Sequence, residues 1–208
     1  MKTRFILIRH AQSAARELGI VQGVGLRVPL TPEGHRQAKT LAQALAKIGP
    51  DRIFASTALR ATKTAEALRS VYPDVFYSEL ASLNERSKGK GEGLIHEEFA
   101  RQFPHVLEAW SRGEDPRLPD GESIADLHRR VVPVLEEHLK KHSGQVLLYV
   151  VHGNVIRVLL AHILGVDPVR FQRQIAQDYC AVNIVEYDEE QRRWHLQCIN
   201  QTFSADHV

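Results

Sequence analysis

The chain has 208 residues, a length typical of a single domain, and its 43% hydrophobic and 25% charged residues are those of a globular protein. Its 27 basic and 25 acidic side chains leave a net charge of +2, which argues against a nucleic-acid partner because such surfaces need a clustered basic excess. Every apolar run is shorter than the roughly 20 residues of a membrane helix, and the N-terminal run is too short for a signal peptide. We therefore expect a cytoplasmic protein with no membrane segment.

The chain contains two cysteines, Cys180 and Cys198. Their separation fits neither a CxxC motif nor the ligand spacing of a zinc site. We expect both to be free thiols, as is usual in a reducing cytosol.

The first half of the chain alternates strand-like and helix-like segments. The apolar run RFILIR at 4–9 predicts a strand covered on both faces of its sheet. A helix should follow, with Thr31 as N-cap, Pro32 at its first position and Gly49 at its exit. A strand, a helix and a weaker strand are then predicted at 52–56, 57–72 and 75–78.

Residues 84–121 interrupt this alternation. The stretch begins with the glycine-rich, charged segment NERSKGKGEGL and ends in the loop GEDPRLPDG. Between them, 96–110 is helical in pattern, with a bend expected at Pro104. We predict that 1–208 forms one domain with a small cap-like insertion around 86–121.

The last third restores the alternation. A helix should begin after Ser123, with Asp126 completing a capping box. A buried strand at 145–151 and a helix ending at Gly165 come next, and 181–188 and 193–199 suit an antiparallel hairpin at a sheet edge. The predicted fold is a three-layer α/β/α sandwich with a mostly parallel sheet and an antiparallel edge strand.

Charged and titratable residues gather where these strands end. Arg9 and His10 end the first strand, His152 ends the strongest one, and Arg60 and Glu85 follow the second and third. In an open α/β sheet the functional site lies at the carboxyl ends of the strands. Each residue alone would be unremarkable, but their convergence predicts an active site.

The chemistry of these residues suits a phosphoryl group. Guanidinium groups match phosphate oxygens, and helix N-termini favour anions. Two neighbouring arginines depress the pKa of His10, so its neutral imidazole can attack phosphorus. Glu85 can protonate the leaving oxygen and later activate water. The sequence has no P-loop, HExxH motif or aspartate-rich metal cluster, and arginines can neutralise the group in transfer, so we expect no metal and no cofactor.

Seven sequence blocks resemble the histidine phosphatase superfamily, in its phosphoglycerate-mutase-like branch. They occur in order over most of the chain, as LIRHAQS (7–13), QG (22–23), PLTPEGHRQA (29–38), ASTALRATKTAE (55–66), NERSKGKGEGL (84–94), PDGES (119–123) and VVHGNVIR (150–157). The resemblance implies a three-layer α/β sandwich. It implies that His10 is the phosphorylated nucleophile and Glu85 the proton donor. It also implies phosphate-binding roles for Arg9, Gln22, Gly23, Arg60, His152 and Gly153.

The chain departs from the family pattern at four positions. Ala11 replaces the glycine of the signature and would be strained if its φ were positive. Arg16 stands where relatives often carry asparagine, and it either contacts the anion or points to solvent. Lys88 and Gly91 stand where many phosphatase relatives carry aromatics. Their loop either opens the pocket, with Lys88 meeting a second negative group of the substrate, or is mobile and solvated.

The same site residues can serve two reactions. A phosphatase passes the phosphoryl group to water, whereas a phosphoglycerate mutase passes it to a second hydroxyl of the substrate. The short segment between Glu85 and Ser123 and the absence of a mutase-type tyrosine favour a histidine acid-type phosphatase, a phosphoric monoester hydrolase acting on a small phosphorylated metabolite.

Two further classes are weaker alternatives. A non-catalytic phosphate-binding module does not need the complete set of reactive residues, and a nucleotide-binding α/β enzyme should show the GxGxxG spacing, which is absent. The expected partner is a small-molecule phosphate ester. A homodimer, formed through an apolar edge strand or the helix at 155–164, stays open.

Overall fold

The computed structural model describes residues 1–25 and 27–204. Six strands form one sheet, in the spatial order β3-β2-β4-β1-β5-β6. They are Lys2–Arg9 (β1), Arg52–Ala55 (β2), Phe76–Glu79 (β3), Val146–Val151 (β4), Val182–Asp188 (β5) and Arg193–Gln201 (β6).

Four neighbouring strands of this sheet are parallel. β4 pairs in parallel with β1, where Ile6 lies opposite Leu148, and with β2, which pairs in parallel with β3. β5 runs antiparallel to β1 and forms a hairpin with β6. The predicted mostly parallel sheet with an antiparallel edge is therefore confirmed.

Seven α-helices accompany the described strands. They are Pro32–Leu45 (α1), Leu59–Val71 (α2), His96–Gln102 (α3), Pro104–Arg112 (α4), Ile124–Lys141 (α5), Gly153–Leu164 (α6) and Pro168–Phe171 (α7). Short 3₁₀ turns occupy Ala81–Leu83 and Gly89–Gly91. The sequence patterns did not predict α7, which is a single turn with Asp167 as N-cap.

Both faces of the sheet are covered, which explains the continuous apolar run of β1. Successive side chains of a strand point to opposite faces. Phe5 and Leu7 belong to the apolar cluster formed with α5 and α6, whereas Ile6 and Ile8 belong to the cluster formed with α1 and α2. The predicted three-layer sandwich is thus confirmed by the packing on either side of the sheet.

Local capping signals set most helix ends. Thr31 accepts a hydrogen bond from the Gly34 amide at 2.9 Å, and Ser123 and Asp126 form the reciprocal capping box at the start of α5. Gly165 ends α6 with φ +67°, a left-handed conformation that suits glycine.

The predicted end of the first helix is wrong. α1 ends at Leu45, four residues before Gly49. The Ala46 amide donates to the Gln43 carbonyl, and this tighter, 3₁₀-type bond ends the α-helix. Gly49, with φ +62°, then completes the turn into β2. Ile48, the last residue of the predicted stripe, packs against the core from this turn.

The segment after Glu85 packs around a small apolar cluster of its own. Pro104 starts α4 directly after α3, so the expected bend is a break between two helices. The cluster consists of Val21, Phe99, Phe103, Val106 and Leu118. The cap within a single domain stays a prediction, and this cluster gives it a packing basis.

Three smaller expectations can be compared with the described residues. None of their helices has the length and hydropathy needed to cross a membrane. Cys180 and Cys198 are free thiols, the first buried and the second half-buried. The apolar side chains of α6 are mostly buried in the core, so this helix offers little apolar surface for a dimer. The oligomeric state stays a prediction.

Replacing Ser123 by alanine should lower the free energy of unfolding by about 1 kcal/mol, because the capping box loses the acceptor for the Asp126 amide. Urea denaturation followed by circular dichroism measures this change. Ser70→Ala is the matched control, since Ser70 is exposed on α2 and should shift stability by less than about 0.5 kcal/mol. Equal midpoints for the two variants would contradict the capping argument.

Candidate active site

Three strand ends meet at one edge of the sheet and bring the candidate residues together. Arg9 is the last residue of β1, and His10 follows it. His152 follows β4 and is the N-cap of α6, while Ser56 follows β2. Because β2, β4 and β1 are parallel neighbours, their carboxyl ends lie side by side.

His10 is buried and held in one tautomer. Its Nδ1 lies 2.8 Å from the Ala11 carbonyl, and its Nε2 lies 3.2 Å from Nε of Arg60. A guanidinium only donates, so Nε2 is the acceptor and the ring proton sits on Nδ1. Burial, followed by the charges of Arg60 and Arg9, lowers the pKa of His10 well below its usual value. The imidazole is therefore neutral, with its lone pair on Nε2.

Each arginine of the site keeps an unused donor. Arg60 is 1% exposed and donates from Nη2 to the Gly23 carbonyl at 2.9 Å, but its buried Nη1 has no partner in the described part of the chain. Arg9 donates to the Gln177 carbonyl, and its guanidinium stacks on the Tyr179 ring at 4.1 Å. Its buried Nε is also without a partner among the residues described. Unsatisfied buried donors of this kind suit an anion.

His152 lies behind His10, with 5.1 Å between the ring centres. Its Nε2 is 2.7 Å from the Ser56 hydroxyl, which donates to the Asn84 side-chain oxygen at 2.6 Å. Nε2 of His152 is therefore the donor, and the buried Nδ1 is a bare acceptor with no partner in residues 1–25 and 27–204. Burial, then Arg60 and His10, lowers the pKa of His152 well below normal. As arranged, Nδ1 can accept a hydrogen bond from a protonated phosphate oxygen.

Glu85 sits beside the first turn of α6. One carboxylate oxygen accepts from the Arg86 amide at 2.8 Å, and the other is 3.4 Å from the Asn154 amide. Arg130 of α5 fixes this loop by donating to the carbonyls of Asn84 and Glu85, and it also pairs with Glu122 at 2.7 Å. The carboxylate is thus positioned by a residue far away in sequence.

A cavity of about 240 Å³ opens onto these side chains. It is lined by Arg9, His10, Ala15, Arg16, Ile20, Gln22, Arg60, Glu85, His96 and Tyr179. Five of the predicted site residues thus line one cavity, while Gly23, His152 and Gly153 lie outside its lining. The roles of all eight stay predictions.

The predicted residues around the phosphate pocket have distinct structural positions. Gln22 accepts from the Ser13 hydroxyl at 3.1 Å and leaves a buried amide donor, Nε2, with no partner in the described residues. A Cβ on Gly23 would lie 2.0 Å from the Glu92 carboxylate, so a side chain there would displace Glu92 from the backbone amides that it binds. Gly153 begins α6, and a Cβ there would lie 3.1 Å from Arg157.

The structure shows the surroundings of residues that depart from the family pattern. Ala11 is buried without a positive φ, so it carries no left-handed strain, and its amide donates to Thr64 at 3.0 Å. Arg16 is exposed yet lines the cavity, which favours an anion contact over a purely solvated side chain. The absence of a side chain at Gly91 does not open the pocket, because the Phe99 ring would lie 2.6 Å from a Cβ there.

Sequence reasoning missed three important side chains. Tyr179 and His96 line the cavity, and Arg130 holds the Glu85 loop. Tyr179 lies in a connection just before β5, His96 begins α3, and Arg130 is one of many charges on a long amphipathic helix. None carried a local signal, because their roles depend on which loops meet in the fold.

No three His, Cys, Asp or Glu side chains of the described ranges are grouped as metal ligands. The charge available to a bound anion comes instead from Arg9, Arg16 and Arg60. A site of this composition is suited to phosphate.

The chain is similar to known proteins in sequence and in fold. The family model of the histidine phosphatase superfamily (branch 1) matches residues 5–202. Phosphoserine phosphatase 1 of Hydrogenobacter thermophilus is 30% identical across 99% of this chain and 86% of its own length. The 2,3-bisphosphoglycerate-dependent phosphoglycerate mutase of Bartonella bacilliformis is 30% identical across 80% of this chain and 84% of its own. A solved structure of mycobacterial glucosyl-3-phosphoglycerate phosphatase, 24% identical, superposes with a TM-score of 0.85 over 97% of this chain and 100% of that one.

The free energy of unfolding should fall between pH 7 and pH 5. His10 and His152 are neutral when folded, but they take up protons near pH 6.5 when unfolded. The unfolded state then binds more protons, so stability is lost as the pH falls below about 6.5, by up to about 2 kcal/mol per histidine at pH 5. Urea denaturation at both pH values should show a smaller difference for His10→Ala than for the unmodified protein.

The control for this measurement is His35→Ala, which removes an exposed histidine from α1. This variant should keep the full pH dependence. If His10→Ala kept it as well, the assignment of His10 as a buried neutral imidazole would be wrong.

Proposed function

The chain belongs to the histidine phosphatase superfamily, and we propose that it hydrolyses a phosphomonoester of a small metabolite through a phosphohistidine at His10. The reaction is that of a histidine acid-type phosphatase and uses no metal ion. The observation that carries the proposal is the neutral, buried His10, whose Nε2 lies against Arg60 at the wall of a cavity rich in arginine. Its phosphatase relatives support the same class of reaction.

The first half of the reaction transfers the phosphoryl group to the protein. The Nε2 lone pair of His10 attacks phosphorus and forms a P–N bond, while the bond to the ester oxygen breaks. A protonated Glu85 gives its proton to the departing oxygen, so the product leaves as an alcohol. The Nδ1–H bond to the Ala11 carbonyl holds the ring in the tautomer that this attack needs.

The second half releases phosphate. The Glu85 carboxylate takes a proton from water, whose oxygen attacks phosphorus and breaks the P–N bond. Inorganic phosphate leaves, His10 is again neutral, and Glu85 is again protonated. Arg9 and Arg60 use their free N–H groups on the phosphoryl oxygens in both halves, which neutralises charge without a metal.

The remaining predicted residues shape the phosphate pocket. Gln22 offers its unpaired side-chain amide, and Gly23 leaves room for Glu92 while its carbonyl holds Arg60. The Gly153 backbone opens α6, whose N-terminal end favours an anion. His152 lies under His10 and accepts a hydrogen bond from a protonated phosphate oxygen.

Water can reach the candidate site, and this favours hydrolysis over transfer of the phosphoryl group within a phosphoglycerate. Arg16 is exposed and lines the cavity, so the site is open to solvent on that side. A mutase must retain the phosphohistidine until the second hydroxyl arrives. The mutases among the relatives make this transfer the reaction to be tested against hydrolysis.

His10→Ala should reduce phosphate release from phosphomonoesters by about 10³-fold or more, because it removes the nucleophile. Glu85→Gln should reduce it by about 10²-fold to 10⁴-fold through loss of proton transfer. Release of inorganic phosphate from phosphoserine, 3-phosphoglycerate and sugar phosphates measures both effects. An acid-labile ³²P label should be trapped on the unmodified protein and be absent from His10→Ala.

Three outcomes would contradict parts of this proposal. Full phosphate release by His10→Ala would exclude His10 as the nucleophile. Interconversion of 3- and 2-phosphoglycerate with little free phosphate would identify a mutase. Loss of activity with a chelator would contradict the metal-free reaction, and His35→Ala controls for the general effect of replacing a histidine.

A further inference from the structure

A second cavity, of about 380 Å³, adjoins the candidate active site. The two cavities share Gln22 and His96 in their linings. The other residues that line the second one are Val21, Lys88, Phe99, Leu107 and Trp110. A molecule with its phosphate at His10 can therefore extend past Gln22 into a space of different character.

Most of this second cavity is apolar and well supported. The rings of Phe99 and Trp110 lie nearly parallel, at 9°, with 5.8 Å between their centres. Phe99 is held in the space that Gly91 leaves free. Leu107 lies one turn before Trp110 on α4. It is 37% exposed, so the protein's own core does not cover it. Such a wall is the size and shape to receive an apolar ring.

Several polar groups in the lining of this cavity have no partner in the described structure. Lys88 places its ammonium 5.0 Å from the Trp110 ring centre, and within residues 1–25 and 27–204 its side chain makes no hydrogen bond or ion pair. The nearby Glu92 carboxylate is already bound to the amides of Val24, Gly25 and Lys88. Two buried donors in the lining also have no partner among the described residues: Nε1 of Trp110 and Nε2 of Gln22, the second of which we assign to the phosphate.

The surroundings of the Lys88 ammonium do not compensate its charge. Burial, followed by the charge of Arg86, lowers the pKa of Lys88 to about 7, against the opposing effect of Glu85 and Glu92. An anion placed beside the ammonium would stabilise the charged form. Desolvated ammonium groups of this kind are strong partners for carboxylates.

We propose that the second cavity binds the alcohol part of the substrate, and that this protein prefers phosphomonoesters whose alcohol carries an apolar ring bearing a carboxylate. The ring lies against Phe99, Leu107 and Trp110, and the carboxylate pairs with Lys88. This inference rests on the proposed function for the position of the phosphate, and it specifies the substrate class of the same site. A small ester such as phosphoserine has no ring and would leave the apolar wall of Phe99, Leu107 and Trp110 uncovered.

Three esters of closely similar alcohols test the proposal, namely 2-phenylethyl phosphate, its 4-carboxylate and its 4-aminomethyl derivative. The leaving alcohols are comparable in basicity, so differences in kcat/KM report binding rather than leaving-group chemistry. The carboxylate should be preferred over the unsubstituted ester by about tenfold, as expected for a charge-assisted contact, and the ammonium ester should be the poorest. Ethyl phosphate measures the contribution of the ring.

Variants assign these preferences to particular side chains. Lys88→Met should reduce the ratio between carboxylate and unsubstituted ester to about one, whereas Lys90→Met, at an exposed lysine near Asp120, should keep it. Leu107→Ala should reduce the advantage of 2-phenylethyl over ethyl phosphate severalfold. Trp110→Ala should reduce this advantage further, and circular dichroism checks that the variant is folded. If Trp110→Ala does not fold, Leu107→Ala alone tests the contribution of the apolar wall.

Binding to His10→Ala separates failure of this inference from failure of the proposed function. Calorimetric titration should give the same order of affinities for the three esters without turnover. Equal affinities, or a carboxylate preference that survives Lys88→Met, would overturn the inference even if the protein hydrolyses all three. The expected order of binding without any hydrolysis by the unmodified protein would uphold it and overturn the proposed function.

Discussion

Nε2 of His10 lies 3.2 Å from Nε of Arg60, and both side chains are almost fully buried. This contact constrains the rest of the site, because a buried imidazole beside a guanidinium stays neutral, and a neutral imidazole has a lone pair for phosphorus. Burial of Arg60 lowers its pKa to about 10, so the guanidinium still keeps its charge at neutral pH. Arg60 has no carboxylate partner among the described residues, and its buried Nη1 is left for an anion.

Two acidic residues of the loops around the site bind groups of the protein itself, and so keep their negative charge away from the phosphate pocket. Glu92 accepts from the amides of Val24, Gly25 and Lys88, and so ties together two loops that are far apart in sequence. Glu122 pairs with Arg130, which holds the carbonyls around Glu85. Glu92 and Glu122 thus have partners within the protein, and Glu85 is the acidic side chain in the lining of the candidate active-site cavity. This separation leaves Glu85 for the proton transfer that we propose.

Phosphatases and mutases of this superfamily share the reactive core, so substrate choice must come from residues around it. In this chain we assign that choice to the second cavity, part of whose wall belongs to the small apolar cluster beside the site. Phe99 belongs both to that cluster and to the wall of the second cavity. The packing of this cluster thus also forms part of the wall against which we propose that the alcohol part of a substrate binds. Lys88 adds a charge at the polar end of that surface.

Local patterns in the sequence determined the layers of the fold and placed the candidate reactive residues at the ends of strands. The apolar runs of β1 and β4, the caps at Thr31 and Ser123 and the strand-end positions of His10 all follow from neighbours in the chain. Tertiary structure alone decided that Tyr179 and His96 line the candidate site and that Arg130 holds the Glu85 loop. Such contacts join distant parts of the chain, since Arg9 and Gln177 are 168 residues apart and Arg130 and Glu85 are 45 residues apart. Hydrophobic period and capping act within a few residues, whereas such contacts exist only after the loops have been brought together by the sheet.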